Sequence, residues 1–173
     1  VTGRPGLPAH GAGALSAAPA KRVNNLRLET QVEKIKEDYL KTSDGKIEFD
    51  SLIIATDANT AAQLLEIEEV PPMVGCTTWY HVPDSSPSDK PHLLLDGMQA
   101  GPVVNSIVIS NLMDSYAPVG RDLVSTTTIQ RASESEVRRH LSAMWGTSTQ
   151  NWELLAKYEI PSSLPLARVG KRL

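Results

Sequence analysis

Leu52-Ile53-Ile54-Ala55 places four apolar residues in a row, and Thr56-Asp57-Ala58-Asn59-Thr60 follows at once. An uninterrupted apolar run leaves no face for water, so as a strand it must be covered on both sides. The Thr, Asp and Asn side chains that follow can cap a helix from Ala61 to Leu65. A doubly covered strand that feeds directly into a helix is α/β architecture.

Upstream the pattern changes to alternation. Leu26, Leu28 and Thr30 fall on one side, Arg27, Glu29 and Gln31 on the other, and Val32 and Ile35 continue the run, which reads as a strand. A second run ends at Leu40, Asp44-Gly45 is a turn signal, and a third run passes through Ile47 and Phe49, so an antiparallel hairpin is expected. The hairpin and the apolar strand then belong to one layered unit. Ahead of them, Gly13 to Val23 is rich in Ala and predicts a short helix that Pro19 kinks or ends.

Pro71-Pro72 removes two backbone donors and favours extended chain, so a second lobe is expected to start there. Strands are expected at Thr77 to Val82, His92 to Leu95, Val103 to Ser110 and Leu123 to Gln130, with a polar loop from Pro83 to Pro91. These make a mainly antiparallel sheet. Ser133 and Glu136 have capping-box spacing, and Val137, Leu141, Met144 and Trp145 share one face of a helix that Gly146 can end. A second short helix is expected from Trp152 to Lys157, before an extended Tyr158-Glu159-Ile160-Pro161.

Charge excludes some functions. Seventeen basic and 20 acidic residues, spread along the chain for a net charge of −3, offer no dense positive field for nucleic acid. No stretch resembles a signal-peptide core or a membrane span, although peripheral membrane contact stays open. The single cysteine, Cys76, rules out an internal disulfide and a multi-cysteine metal site, and fits a reducing compartment.

Self-contained catalytic signatures are missing: there is no G-x-G-x-x-G after a strand, no phosphate-binding P-loop and no G-x-S-x-G. His10, His81, His92 and His140 lack metal-ligand spacing and read as surface or packing residues, with His140 on a helix whose opposite face is apolar. Cys76 reads as an ordinary buried residue. Trp79, Tyr80, Trp145 and Trp152 read first as core and second as the wall of an apolar pocket. The Tyr116-Ala117-Pro118-Val119-Gly120 loop reads as a turn, and Arg138-Arg139 and Lys171-Arg172 as solvated charge.

The order of the pieces carries more than any one of them. Leu26 to Ile35, the Asp44-Gly45 turn and Phe49 to Asp57 together resemble the FAD domain of the amine oxidase and carotenoid (phytoene) desaturase-like flavoprotein family. Gly11 to Val23 stands where that family has a Gly-rich turn and helix, with Pro19 as a departure. Ile107 to Asn111, Tyr116 to Ser125, the helix ending Met144-Trp145-Gly146, and Trp152 to Pro165 resemble its substrate domain. The resemblance implies that Val32 lies against the adenine of FAD through backbone hydrogen bonds, and that Ala55 and Thr56 end a strand near the cofactor.

The fold it implies is α+β with α/β character: part of a glutathione-reductase-like FAD-binding domain, then a mainly antiparallel sheet-plus-helix substrate domain. The expected division is 1–70 partial FAD-binding domain, 71–163 substrate-binding-like domain, and 164–173 the start of a return to the FAD domain. The family's N-terminal dinucleotide-binding loop and C-terminal Gly-Asp segment are not in this sequence, so it reads as an internal fragment. The implied function is a fragment of an FAD-dependent oxidoreductase acting on an apolar or amine substrate, in cytoplasm or plastid, with no residue identified as catalytic. The alternative is a noncatalytic, truncated α+β binding or interaction module with a vestigial flavin site.

Overall fold

A computed structural model describes residues 6–68, 70 and 72–166. The expected segment beyond Leu166, with Lys171-Arg172, lies outside them, as does Pro71. The architecture is α+β, as the sequence patterns require. The described residues divide into two compact units: one joins residues 6–19 to Met73–Leu164, and the other comprises those of Ala20–Pro72 with Pro165 and Leu166.

The Ala20–Pro72 unit is built on three short antiparallel strands in the order β1 (Val32–Ile35), β2 (Tyr39–Thr42), β3 (Gly45–Glu48). Asp44-Gly45 makes the expected hairpin, in which Thr42 pairs with Gly45 and Leu40 with Ile47. Gly45 has φ 123°, a left-handed conformation glycine adopts without a Cβ penalty. The Thr42 hydroxyl donates to the Gly45 carbonyl at 2.8 Å and accepts from the Asp44 N–H at 3.3 Å, tightening the turn. The strand expected over Leu26 to Ile35 is paired only from Val32 onward.

Helix α2 (Ala58–Leu64) lies against β1 and starts three residues before the expected Ala61, because Asp57 is the N-cap. Its carboxylate accepts from the N–H groups of Asn59 and Thr60 and from the Thr60 hydroxyl at 2.6 Å. The Leu52 to Ala55 stretch is not a ladder strand in the described residues, and Ile53 is 89% exposed. That expectation is corrected: an apolar run becomes a strand only where neighbours offer backbone partners, and no described segment pairs with it.

The other unit carries a five-stranded sheet in the order β5-β6-β7-β4-β8. Its strands are β4 (Met73–Val82), β5 (Leu94–Leu95), β6 (Val103–Val108), β7 (Val124–Thr128) and β8 (Glu153–Pro165). The pairings β4 with β7, β7 with β6 and β6 with β5 are antiparallel. Beyond Val108 the chain turns through a 3-10 helix, Ile109–Asn111, so the β6 strand ends before the expected Ser110. In this unit α1 (Gly13–Ala20) starts where the Ala-rich run predicts and includes Pro19.

Helix α3 (Glu134–Trp145) forms as the sequence specifies. Ser133 and Glu136 complete a reciprocal capping box, and Gly146 ends the helix at φ 66°. Val137 and Leu141 pack with Trp79, Val103, Val108, Val124 and Trp152 in one buried cluster. Each of the two helix side chains contributes roughly 1.5–3 kcal/mol by leaving water. On β7, Val124, Thr126 and Thr128 face this core while Ser125 and Thr127 do not, the period of two that a sheet imposes.

The helix expected from Trp152 to Lys157 is instead the start of β8. Leu154 and Ala156 are half-buried between exposed Glu153, Leu155 and Lys157, a strand alternation that the helix-favouring Leu-Leu-Ala-Lys composition conceals. β8 is an edge strand, where Pro161 is tolerated. It approaches β4 so closely at Gly75 that a methyl group there would fall 2.8 Å from the carbonyl oxygens of Ile160 and Pro161.

Two outcomes follow for chemical denaturation. Gly75→Ala should lower unfolding stability by about 1–3 kcal/mol, because backbone oxygens cannot swing aside. Ser133→Ala should cost about 1 kcal/mol through the lost cap, and an unchanged midpoint would remove the capping box from the account of α3.

Candidate functional site

Val32 opens β1, the edge strand of its sheet, and is half-buried opposite Thr42. Just before it, Gln31 directs both backbone groups at Ser43: its N–H donates to the Ser43 hydroxyl at 3.2 Å, and its carbonyl accepts from the Ser43 N–H at 2.9 Å. The trans peptide that aims the Gln31 carbonyl at Ser43 turns the Val32 N–H the other way, toward the open edge of β1. The register slips between Val32 and Lys34, a bulge that increases twist where pairing begins. Thr30 fixes the approach, its hydroxyl donating to Asp44 at 2.9 Å.

An outward N–H on an open strand edge can donate to a ring-nitrogen acceptor such as an adenine offers. Ala55 and Thr56 are exposed where the Leu52 to Ala55 stretch ends, in the same unit. They stand immediately before the Asp57 cap, and the Thr56 hydroxyl donates to the Asp57 carbonyl at 3.3 Å. The Asp57 carboxyl is held below its usual range, first by the Thr60 hydroxyl and then by backbone N–H groups.

In the five-stranded unit, the aromatic residues separate. Trp79 and Trp152 are buried in the core, and Trp145 packs against it with its indole N–H on Ser106 at 3.0 Å. Tyr80 lies in the other half of the β4 alternation and meets Tyr158 edge-on at 6.0 Å. The three tryptophans are therefore packing residues. The Tyr116 to Gly120 segment is a turn tied down by Tyr116, whose hydroxyl donates to the Pro8 carbonyl at 3.1 Å. It borders a hollow of about 420 Å³ with Val82, Leu123 and Leu155.

His140 is buried, which corrects the expectation that it lies opposite the apolar face of α3. Its Nδ1 accepts the Val103 N–H at 3.1 Å and its Nε2 stands 3.5 Å from an Asp96 carboxylate oxygen. Asp96 also accepts from the N–H groups of Met98 and Ala100. Although the pair floors a hollow of about 800 Å³, both ring nitrogens of His140 are engaged, so it has no free lone pair for a substrate proton. Its role is to pin the loop before β6 to α3. A separation of 44 positions hides this pairing from any local motif. Cys76 is half-buried rather than fully buried. Among the described residues, no three His, Cys, Asp or Glu side chains converge as a metal site, and no helix is long and apolar enough to cross a membrane.

No protein-family model matches this sequence, and no curated protein matches it. Solved structures do match in fold. A structure assigned as a protoporphyrinogen oxidase from Exiguobacterium sp. 255-15 superposes with a TM-score of 0.73 at 16% identity, over 92% of this chain and 41% of its own. A reduced UDP-galactopyranose mutase gives 0.69 at 14% identity, over 92% and 41%. An oxidoreductase from Methanosarcina mazei gives 0.62 at 13%, over 88% and 42%. The chain thus spans about two fifths of the length of these structures, and shares their fold.

His140→Phe should lower stability by about 1–3 kcal/mol, because the Val103 N–H and the Asp96 carboxylate both lose a buried partner. Equal denaturation midpoints for the two proteins would refute the pinning role.

Proposed function

We propose that this chain is part of an FAD-dependent oxidoreductase of the amine oxidase and desaturase-like type, contributing the adenine-side strand and a substrate lobe. One observation carries the reading: Val32 stands on the open edge strand β1 with its N–H turned away from β2, in a fold shared with the oxidoreductases above. Such main-chain recognition holds a purine without any special side chain.

When bound, FAD would supply the electron acceptance, drawing a hydride or electrons from a C–H or C–N bond of an apolar or amine substrate. Val32 would hold the adenine, and Ala55 and Thr56 would close the near side. The groups present fit the adenine end alone, and none is placed to act as an acid or base. The whole protein's reaction and substrate are therefore part of the proposal. The noncatalytic binding module is kept as the second reading because Ile53 stands exposed in an apolar stretch of the same unit.

Titration with ADP, followed by amide chemical shifts, tests the adenine site. Shifts should centre on Gln31 to Glu33, and Val32→Pro should weaken binding about fivefold, the loss of one hydrogen bond of about 1 kcal/mol. Because that N–H points away from β2, proline should leave the sheet folded, while Val32→Ile should bind within about twofold of the wild type. Unchanged ADP affinity in folded Val32→Pro would refute the site. Retention of FAD through gel filtration then separates the readings, since colourless, folded protein favours the noncatalytic module.

A further inference from the structure

His81 on β4 is fully buried, and among the described residues neither ring nitrogen has a hydrogen-bond partner. Every other buried polar side chain named around the α3 core has one. Thr128 accepts from the Trp79 indole at 3.2 Å, and Ser106 bonds Thr126 at 3.1 Å. Thr149 donates to the Arg138 carbonyl at 2.8 Å, while the Arg138 guanidinium donates back to the Thr149 carbonyl at 2.7 Å.

The surroundings of His81 explain what its isolation does. Its cross-strand partner is Val124, and the Trp152 ring lies 6.2 Å away at 54°. The charged groups that face it come from α3: Arg138, and Glu134, which Arg138 pairs at 2.6 Å. Val124 of β7 and Trp152, just ahead of β8, bring no titratable group, and Glu153 at the start of β8 is exposed and paired with Arg121 at 3.4 Å. Arg138 also holds the connection that follows α3, through Thr149, and the Trp152 N–H donates to the Thr149 carbonyl at 3.2 Å. A second positive charge at His81 would therefore sit beside a cation already committed to clamping this segment.

We propose that His81 is an acid-operated release for the 146–152 connection: a proton from bulk water, taken up by the buried ring, displaces Trp152 and opens this end of the unit reversibly. Burial and Arg138 hold the imidazole down from 6.5 to about 4. A folded value below the unfolded one means the closed form is fully favoured above pH 6.5 and loses ground as pH falls through the interval down to 4. The release needs no cofactor, and so stands apart from the flavin reading.

Hydrogen exchange of the full chain at pH 7 and pH 5, corrected for intrinsic rates, tests it. The open fraction at residues 147–154 should rise about twentyfold between the two pH values, while β2 and β3 amides stay unchanged. In His81→Phe the same amides should vary less than about twofold. Equal corrected protection at both pH values in the wild type, or a full rise in His81→Phe, would overturn the proposal. Should His81→Phe fail to fold, the imidazole titration of the wild type decides by NMR. A ring that protonates near 6.5 with no change in the 147–154 amides overturns it equally.

Discussion

The docking of α3 on one face of the five-stranded sheet is the interaction on which that unit depends. Val137 and Leu141 reach a surface made by β6, β7 and β4 that is far from purely apolar: Ser106, Thr126 and Thr128 lie on it, fully buried. Such a face is stable only when its hydroxyls are paired, and the tryptophan indoles and neighbouring hydroxyls supply the partners. The capping box and Gly146 set where the helix starts and stops. The Arg138–Thr149 exchange then carries its exit back to the sheet, where Trp152 closes the core.

The Ala20–Pro72 unit has a different balance. Among its described residues only Thr42 and Ala62 are buried, and three four-residue strands with one short helix remove little surface from water. Leu26, Leu28, Ile53, Leu65 and Ile67 remain exposed. Stability here is open to mass action, since any ligand bound only by the folded form stabilises it by RT ln(1 + [L]/Kd). An adenine site on β1 would thus support the sheet as well as use it.

What could be read from the residues follows the range of the forces involved. The α3 boundaries were legible because caps, periodicity and the terminal glycine act within one turn, and so was the Asp44-Gly45 hairpin. The composition of Leu52 to Ala55 demands cover on both faces, but a ladder needs partners elsewhere in the chain. Trp152 to Lys157 departs from its local pattern for a related reason: Leu-Leu-Ala-Lys favours a helix locally, and only the edge of β4 makes it a strand. The His140–Asp96 contact, and the electrostatic effect of Arg138 on His81, act across tens of residues and are encoded by no short pattern. At Val32 the order of segments singles out a residue for the proposed site, while the direction of its N–H follows from the Gln31 carbonyl bonding Ser43.

The same logic explains how a fold can be shared at 13–16% identity with proteins of separate descriptions. A side-chain contact to a ligand constrains the residue type at one position, and its loss is visible in sequence. A main-chain contact constrains only the local path: an extended residue at a sheet edge, with its neighbour committed to the adjoining strand. Many residues satisfy that requirement, so substitution can proceed around Val32 without moving the N–H and C=O. Under the proposed adenine site, low identity would be the expected companion of backbone recognition rather than an argument against it. The constraint is kept by the Thr30, Ser43 and Asp44 contacts that hold the hairpin against the approach to β1.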